Sequence, residues 1–256
     1  MQDHQSSGPA FAISPQVIYH DSQKAWLGYM DYLRALVRDT GARSVLELGG
    51  GANPALSLEE IREMGINYTI LDISKVELDK APAGYHKLQA DVAAPLTGIS
   101  AQYDFVFSKM LVEHLHNGRV FHENVLKLLQ PGGVAFHFFP TLYAPPFVAN
   151  WLLPERLARW TLRLFSPRDS YQYAKFPAYY SWCRGPTAGQ LRRFEQLDYE
   201  VRRYTGFFGH ERYYARIPLL RELHQRCVDF LLLHPIPQLT SFAYLELAKP
   251  ANKISQ

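Results

Sequence analysis

Short apolar segments alternate with segments of helical periodicity over residues 44–140. Apolar runs of strand length occur at Ser44–Leu48, Asn67–Asp72, Tyr85–Gln89, Tyr103–Ser108 and Val134–Phe139. Helices are predicted between them, over Leu56–Met64, Lys75–Asp79 and Arg119–Leu129. Strands that alternate with helices at this spacing predict a parallel sheet with helices on both faces.

The rest of the chain follows a less regular pattern. Residues 1–21 are predicted to form a loose arm, and a helix from the N-cap Ser22 to Val37 follows it. Residues 141–185 have no strand pattern and are predicted to be an insertion. The C-terminal part predicts two helices and two strands: Thr187–Phe194, Tyr199–Tyr204, Pro218–Leu233 and Phe242–Ala248.

Composition narrows the class of protein. The chain has 256 residues, of which 47% are hydrophobic and 20% charged, so a well-filled core is expected. A net charge of +3 is too small to indicate a nucleic-acid partner. Cys183 and Cys227 fit no zinc spacing or disulfide framework, and the N-terminus lacks the pattern of a signal peptide, so we expect a cytoplasmic protein.

A glycine-rich turn follows the first of the five strands. Gly49 and Gly51 come directly after it, and a helix is expected to begin at Pro54 with Asn53 as its N-cap. Glycines let a ligand approach bare main chain, and the first N–H groups of a helix attract a carboxylate. A dinucleotide motif would require glycine at position 54, so Pro54 argues against a nicotinamide cofactor.

Acidic residues follow or lie within the predicted strands. Asp72 ends the second strand, where sheets of this kind hold ribose hydroxyls. Asp91 follows the third strand, where it can accept a hydrogen bond from an adenine amino group. Glu47 needs a partner if it is buried, either main-chain donors or the ammonium group of a ligand. Asp72 and Asp91 can instead be simple helix caps.

Five motifs occur in order: ELGGGANP, LDIS, ADVAAPL, YDFVFSKMLVEHL and LLQPGGVAFHFFP. In this order the chain resembles the class I S-adenosylmethionine-dependent methyltransferases, particularly the type-11 group, over residues 43–140. The resemblance implies S-adenosylmethionine as cofactor and no metal. It also implies a Rossmann-like, doubly wound α/β fold with seven mostly parallel strands, an antiparallel last strand and an α-rich insertion.

The resemblance also assigns cofactor-binding residues. Glu47, Gly49, Gly50 and Gly51 would hold the methionine part of the cofactor. Asp72, with Ile73 beside it, would hold the ribose, and Asp91 and Val92 would flank the adenine. Ser108, Lys109, Met110 and Leu111 would face the sulfonium. The family often has a third glycine where this chain has Asn53, a residue that tolerates unusual backbone angles.

These assignments divide the chain into four parts. Residues 1–42 would form an arm and a helix over the cofactor, and residues 43–140 the cofactor-binding core. Residues 141–186 would form a substrate lid, and residues 187–256 would complete the sheet.

His114 is the leading candidate for a catalytic base. It follows the fourth strand, where ligands bind in open α/β sheets, and an imidazole titrates near physiological pH. The alternative is a structural role that moves no proton. Glu113 and His116 are lesser candidates, and neighbouring residues of this kind rarely converge on one metal ion. His137 is predicted to be a core histidine.

The second half of the chain offers candidates for substrate contact. Tyr143, Tyr179, Tyr180 and His210 lie in aromatic segments that suit an aromatic ring or a sugar, or equally a dimer contact. Residues 151–165 have amphipathic spacing with Arg156, Arg159 and Arg163 on one face. A peripheral membrane contact there competes with ordinary packing on the sheet.

Together these patterns predict methyl transfer to a small-molecule acceptor, with oxygen of a glycan, a lipid-linked molecule or an aromatic metabolite as the expected target. A non-catalytic S-adenosylmethionine-binding module is the first alternative, and a nicotinamide-dependent oxidoreductase is the second. The oligomeric state is open.

Overall fold

A computed structural model describes residues 15–96, 98–144, 148, 177–211 and 217–251. These residues form one eight-stranded sheet with helices packed against it. The strands are β1 (Gln16–Asp21), β2 (Ser44–Leu48), β3 (Asn67–Asp72), β4 (His86–Gln89), β5 (Tyr103–Lys109), β6 (Leu129–Pro140), β7 (Glu200–Phe208) and β8 (Phe242–Ala248). The helices are α1 (Ser22–Leu27), α2 (Tyr29–Asp39), α3 (Leu58–Met64), α4 (Lys75–Lys80), α5 (Gly118–Leu128), α6 (Ala188–Glu195) and α7 (Pro218–Leu233).

The order of the strands reverses between β2 and β5, which marks one place at the carboxyl ends of the strands. The order is β1-β7-β8-β6-β5-β2-β3-β4, and β8 runs antiparallel to both of its neighbours while the other pairs are parallel. The chain proceeds from β2 outward through β3 to β4 and then returns to β5 on the other side of β2. Ligands of open α/β sheets bind outside the carboxyl ends of the strands at such a reversal.

The fold class predicted from the sequence is confirmed, with one strand more than the seven expected. Gln16–Asp21, expected to belong to a loose arm, pairs in parallel with β7 at the edge of the sheet. An edge strand needs apolar contacts on one side only, so its mixed sequence gave a weak pattern. The division of the chain into four parts stays a prediction.

Two helix starts differ from the prediction. The single helix expected from Ser22 to Val37 is two helices that meet at Gly28, and the side chain of Asp21, not that of Ser22, caps the first of them. The helix after the glycine turn begins at Leu58 instead of Pro54. Ser57 caps it through a reciprocal pair of hydrogen bonds with Glu60, which the sequence S-x-x-E signals.

The C-terminal elements agree closely with the prediction. The helix Pro218–Leu233 and the strand Phe242–Ala248 are confirmed, and β7 continues to Phe208. Most of the predicted insertion lies outside the described residues, including the amphipathic segment 151–165. Among the described helices, none combines the length and the apolar character needed to cross a membrane.

Candidate active site

The glycine turn leaves β2 at the point where the sheet order reverses. Gly49 donates its N–H to the carbonyl of Leu71 at 2.7 Å and has φ of 76°. A Cβ at Gly49 would lie 3.2 Å from the side chain of Leu111. A Cβ at Gly50 would lie 2.9 Å from the carboxyl group of Glu47. The protein's own packing therefore requires glycine at both positions.

Glu47 anchors this turn from below. Its buried carboxylate accepts hydrogen bonds from the Tyr68 hydroxyl at 2.6 Å and from the N–H of Ala55 at 3.0 Å. Burial raises the pKa of Glu47 to about 7, although these hydrogen bonds oppose the shift. Of the two partners predicted for Glu47, main-chain donors are present.

Asp72 is the carboxylate that the turn approaches. Its Oδ1 accepts a hydrogen bond from the N–H of Ser74 at 2.8 Å. Its Oδ2 lies 3.2 Å from the position of a Cβ at Gly51, where φ is 45°. Within the described part of the chain, Oδ2 accepts no hydrogen bond. Gly51 and Asp72 thus form one wall of the candidate cofactor site. The side chain of the neighbouring Ile73 is 63% exposed.

A loop after β4 forms the next part of the edge. Asp91 is exposed and accepts a hydrogen bond from the N–H of Ala93 at 2.8 Å, whereas Val92 is buried. The amide of Asn124, on α5, donates to the carbonyls of Val92 and Ala94 at 2.9 and 2.7 Å. Asn124 therefore holds this loop in place. No local sequence signal indicates Asn124 beyond its being a polar residue on the inner face of a helix.

Residues at the end of β5 differ in burial: some belong to the core and others reach the surface at the carboxyl ends of the strands. Ser108 is fully buried, and its hydroxyl forms a 2.8 Å hydrogen bond with Nδ1 of His137, which is buried as predicted. The Ser108 side chain is therefore engaged within the core, and its position beside the sulfonium stays a prediction. Lys109 is exposed, and Met110 adopts φ of 53° while donating its N–H to the carbonyl of Phe138.

Tyr29, at the start of α2, is the principal residue that the sequence missed. Its ring is buried against Phe136 and Phe138, and the ammonium group of Lys109 lies 4.5 Å from the ring centre. Its hydroxyl is buried and has no hydrogen-bond partner in the described part of the chain. Burial and the nearby charge of Glu47 raise its pKa. A buried donor without a partner indicates a place where a ligand can supply one.

Glu113 and His114 lie on a short 3-10 helix, Val112–His114, after β5. Nδ1 of His114 is 2.9 Å from the carbonyl oxygen of Pro177, so this nitrogen carries a proton. Nε2 of the same ring lies 3.6 Å from Oε1 of Glu113. Glu113 is buried, its Oε2 has no partner among the described residues, and burial raises its pKa to about 8.

The segment that follows Pro177 packs over this pair. The main-chain N–H groups of Tyr179 and Tyr180 both donate to the carbonyl of Glu113, and Tyr179 stacks on His116 with ring centres 3.4 Å apart. Tyr180 and Trp182 adopt φ of 51° and 66°, a region that non-glycine residues rarely occupy. Backbone strain of this kind concentrates at functional sites.

The other two predicted substrate residues occupy separate positions. Tyr143 is 43% exposed, and the guanidinium of Arg184 lies 5.2 Å from its ring centre. His210 is buried after β7. Its ring Nδ1 forms a 2.9 Å hydrogen bond with the hydroxyl of Ser241, and its main-chain N–H donates to Nε2 of His224. Burial lowers the pKa of His210 to about 3. The structure thus places His210 with Ser241 and His224, while Tyr179 and Tyr180 accompany Glu113.

The groups of this site suit a small polar ligand that has a cationic or hydroxyl-bearing part. Bare main chain at Gly51, the available Oδ2 of Asp72 and the unpartnered hydroxyl of Tyr29 fit an adenosyl amino acid. Among the described residues, no cluster of side chains could hold a metal ion.

Comparison with known families identifies the fold of this site. The family model described as "Methyltransferase domain" matches residues 20–207, which is most of the chain. The chain belongs to this family. As a methyltransferase of this Rossmann-like class, it uses S-adenosylmethionine as its cofactor. No curated protein gives a significant match to the sequence.

Solved structures with the same fold share little sequence with this methyltransferase. An S-adenosylmethionine-dependent methyltransferase from Clostridium acetobutylicum aligns with a TM-score of 0.53 at 9% identity, covering 90% of this chain and 96% of the other. One from Archaeoglobus fulgidus aligns at 0.50 and 16% identity, covering 89% and 97%. The (4+2)-cyclase SpnF aligns at 0.52 and 16% identity, covering 93% and 90%. At this identity the alignments show the fold alone.

Proposed function

We propose that this methyltransferase transfers a methyl group to a hydroxyl oxygen of a small-molecule acceptor, a glycan, a lipid-linked molecule or an aromatic metabolite. The observation that carries the proposal is the arrangement of Glu113, His114 and the carbonyl of Pro177 at the carboxyl end of β5. This arrangement supplies a base beside the place where open α/β sheets bind their ligands.

The cofactor would be held by residues of three neighbouring loops. Main chain of Gly49–Gly51 would contact its amino-acid part, Oδ2 of Asp72 its ribose hydroxyls, and the loop at Asp91 and Val92 its adenine. Bound S-adenosylmethionine supplies an electrophilic methyl group on a sulfonium. Glu47 supports the turn, because Tyr68 and Ala55 already occupy its carboxylate.

The hydrogen bond to Pro177 fixes the tautomer of His114. A neutral ring that donates from Nδ1 carries its lone pair on Nε2, so Nε2 is the atom that accepts a proton. We assign to Nε2 the proton that the acceptor's hydroxyl would lose on methylation, with S-adenosylhomocysteine as the other product. The positive charge that results on His114 lies 3.6 Å from Oε1 of Glu113, where it would favour the ionised carboxyl that burial otherwise disfavours.

The aromatic residues next to His114 would bind the acceptor. Tyr179 stacks on His116. The main-chain N–H groups of Tyr179 and Tyr180 hold this segment against the carbonyl of Glu113, and the backbone at Tyr180 is strained. Such a surface provides broad contact area with a few hydroxyl groups, which suits a ring-shaped acceptor. Arg184 lies further along this segment, and its guanidinium is 5.2 Å from the ring centre of Tyr143.

The test is to find an acceptor and then remove the base. The protein is incubated with S-adenosylmethionine and panels of phenols, glycans and lipid-linked sugars, and release of S-adenosylhomocysteine is measured. With an accepted substrate, we expect His114→Ala to lower kcat by about 10²–10⁴-fold and to leave the Kd of S-adenosylmethionine unchanged by calorimetry. His86→Ala, at an exposed histidine of β4, should leave kcat unchanged.

Asp72→Ala serves as the binding-deficient control, since it removes the carboxylate assigned to the ribose. Equal turnover by His114→Ala and the parent protein would exclude His114 as base. Binding of S-adenosylmethionine without methylation of any acceptor would instead favour a non-catalytic binding module.

A further inference from the structure

One face of α7 presents apolar side chains to solvent. The inner side of this helix lies against β1 and β7, where Val228 is buried. On the outer side, Leu219, Leu223, Phe230 and Leu233 are 78%, 57%, 57% and 77% exposed. We call these four residues the α7 stripe. Isolated exposed leucines are common in proteins, but four in one row on one helix need an explanation.

The spacing places the four apolar residues in one row, with Arg226 on the same side between Leu223 and Phe230. Positions separated by four, seven and three residues return to the same side of an α-helix, so the α7 stripe runs along almost the whole helix. Ile236 and Leu239, just beyond its end, are 40% and 42% exposed. Together these side chains leave an apolar area on the order of 500 Å² in water, at the upper end of the largest patch on a typical monomer.

This area matches the apolar share of a stable dimer interface, which is roughly 56–65% of the surface that each partner buries. A standard interface buries about 800 Å² on each partner, with an apolar centre and a polar rim. The apolar residues of α7 supply this share, and Arg226 lies among them with Glu222 and Asp229 beside it. A second copy of the chain is therefore an adequate partner by area.

The α7 stripe is also nearly symmetric along the helix. Leu219 and Leu233 lie at equal distances from Arg226 on either side, and Leu223 and Phe230 lie at nearly equal distances. We propose that two copies of the chain associate through α7, with the helices antiparallel about a two-fold axis near Arg226. Leu219 of one copy then faces Leu233 of the other, and Leu223 faces Phe230, as an isologous interface requires.

The charges beside the stripe suit this arrangement. Arg226 pairs with Glu222 in its own helix at 2.7 Å, and Asp229 lies one turn further on the same side. When the helices run antiparallel, Asp229 of each copy comes close to Arg226 of the other. The two arginines then lie near the axis at the centre of the interface, where four carboxylates flank them and offset their mutual repulsion.

The same charges disfavour a lipid surface as the partner. Helices that lie on membranes have an excess of Lys and Arg on their polar face. Here Arg221 and Arg226 are balanced by Glu222 and Asp229 within the helix. The α7 stripe therefore has the apolar side chains of an interfacial helix without the basic face that attracts anionic lipids.

Two measurements on the full chain test the proposal. Sedimentation velocity over a roughly hundredfold range of concentration should show a monomer–dimer equilibrium. Leu223→Glu with Phe230→Glu should weaken the dimer by about 100-fold or more, because carboxylates would be buried at the centre of the interface. Val76→Glu changes a residue that is 65% exposed on α4 and should leave the dimer unchanged.

Cysteine cross-linking tests the orientation of the helices. Cys227 is exposed at the side of the α7 stripe, while Cys183 is fully buried. With helix axes about 8–10 Å apart, the two copies of Cys227 come within reach of a short bis-maleimide. We expect covalent dimers from the parent protein and none from Cys227→Ser.

Three results would overturn the proposal: a monomer at every concentration, a dimer that the double variant leaves intact, or a dimer that Cys227 does not cross-link. Flotation with phosphatidylcholine vesicles completes the test. Binding of monomers to these vesicles that the double variant abolishes would assign the α7 stripe to a lipid surface instead. Circular dichroism of each variant establishes that it is folded.

Discussion

At the scale of single residues, the hydroxyl of Tyr29 is the feature that most directly connects the protein with its cofactor. A buried hydroxyl without a partner costs stability, and a bound ligand that accepts its hydrogen bond would remove this cost. Tyr29 lies at the start of α2, where Lys109 approaches its ring and the charge of Glu47 acts on its hydroxyl. It is suited to donate a hydrogen bond to the carboxylate of the cofactor's amino-acid part.

Tyr29→Phe tests this role. The variant should be as stable as the parent protein or more stable by up to about 1 kcal/mol, since it loses an unsatisfied polar atom. Its affinity for S-adenosylmethionine should fall by about 10-fold, measured by calorimetry. Tyr85→Phe is the matched control, because it removes a hydroxyl bonded to the carbonyl of Leu56 and should lower stability without changing affinity. Unchanged affinity in Tyr29→Phe would remove the residue from the site.

Glu113 gives the protein a specific dependence of stability on pH. Burial raises the pKa of this carboxyl from 4.5 to about 8, so between these values the folded protein keeps a proton that the unfolded chain releases. This contribution to stability is fully present below the unfolded pKa and is lost as the pH rises through about 8. The free energy of unfolding should therefore decrease over this range.

In Glu113→Gln, residue 113 is neutral in both the folded and the unfolded state. The free energy of unfolding should therefore fall less steeply with pH, by the slope that corresponds to about one proton. Urea unfolding at several pH values between the two pKa values measures the slope. Glu123→Gln, which changes a carboxylate paired with Arg119 on the surface, is the control. Parallel slopes for Glu113→Gln and the parent protein would mean that Glu113 is ionised when buried.

The candidate site could be predicted from the sequence where a local motif positions its residues. Gly51 and Asp72 lie at strand ends whose order the pattern gave correctly, and the structure brings them together. Tyr29, Asn124 and Pro177 act through contacts across the fold, so no local pattern indicated them. The hydroxyl of Ser108 faces the core because His137 on the adjacent strand bonds to it, a pairing that spacing does not reveal.

At the scale of elements, α3 shows how two capping signals compete. Asn53 with Pro54 and Ser57 with Glu60 are both plausible starts for this helix, and the structure selects the second. Ser57 makes two reciprocal bonds with Glu60, and Arg34 of α2 pairs with Glu60 at 2.7 Å. The contact with α2 is remote in sequence and so was not visible in the local pattern.

Ser57→Ala should therefore lower the free energy of unfolding by about 1 kcal/mol, measured by urea denaturation. Asn53→Ala should change it by less than about 0.5 kcal/mol, because Asn53 is exposed outside the helix. The reverse order of effects would indicate that the helix begins at Pro54 in solution.

Helices and strands with strong periodicity were the easiest to predict. The helix Pro218–Leu233 and the strand Phe242–Ala248 have clear boundaries in proline and in apolar residues. The strand β1 was missed because its pairing with β7 depends on residues almost the whole chain away. The break at Gly28 was missed because the apolar spacing continues across it.

At the scale of the whole molecule, close packing at Gly206 joins the N-terminal strand to the sheet. A Cβ at this position would lie 2.6 Å from the side chain of Thr240 and 3.1 Å from the ring of Tyr19. Gly206→Val should therefore separate β1 from β7 and destabilise the protein by about 2–3 kcal/mol in thermal or urea unfolding. Gly189→Ala is the control, because space around Gly189 on α6 is open and alanine favours a helix.

The position of β8 also constrains how the molecule can be made. This strand follows the other seven in sequence, yet it lies between β6 and β7. During synthesis, β2 to β6 can assemble as they leave the ribosome, but β7 and β1 have no edge to join until β8 has emerged. A nascent chain that stops before Phe242 would thus leave β6 with one unpaired edge and the β1–β7 pair detached from the rest of the sheet. Chaperone binding and aggregation are expected at this late stage of synthesis rather than at its beginning.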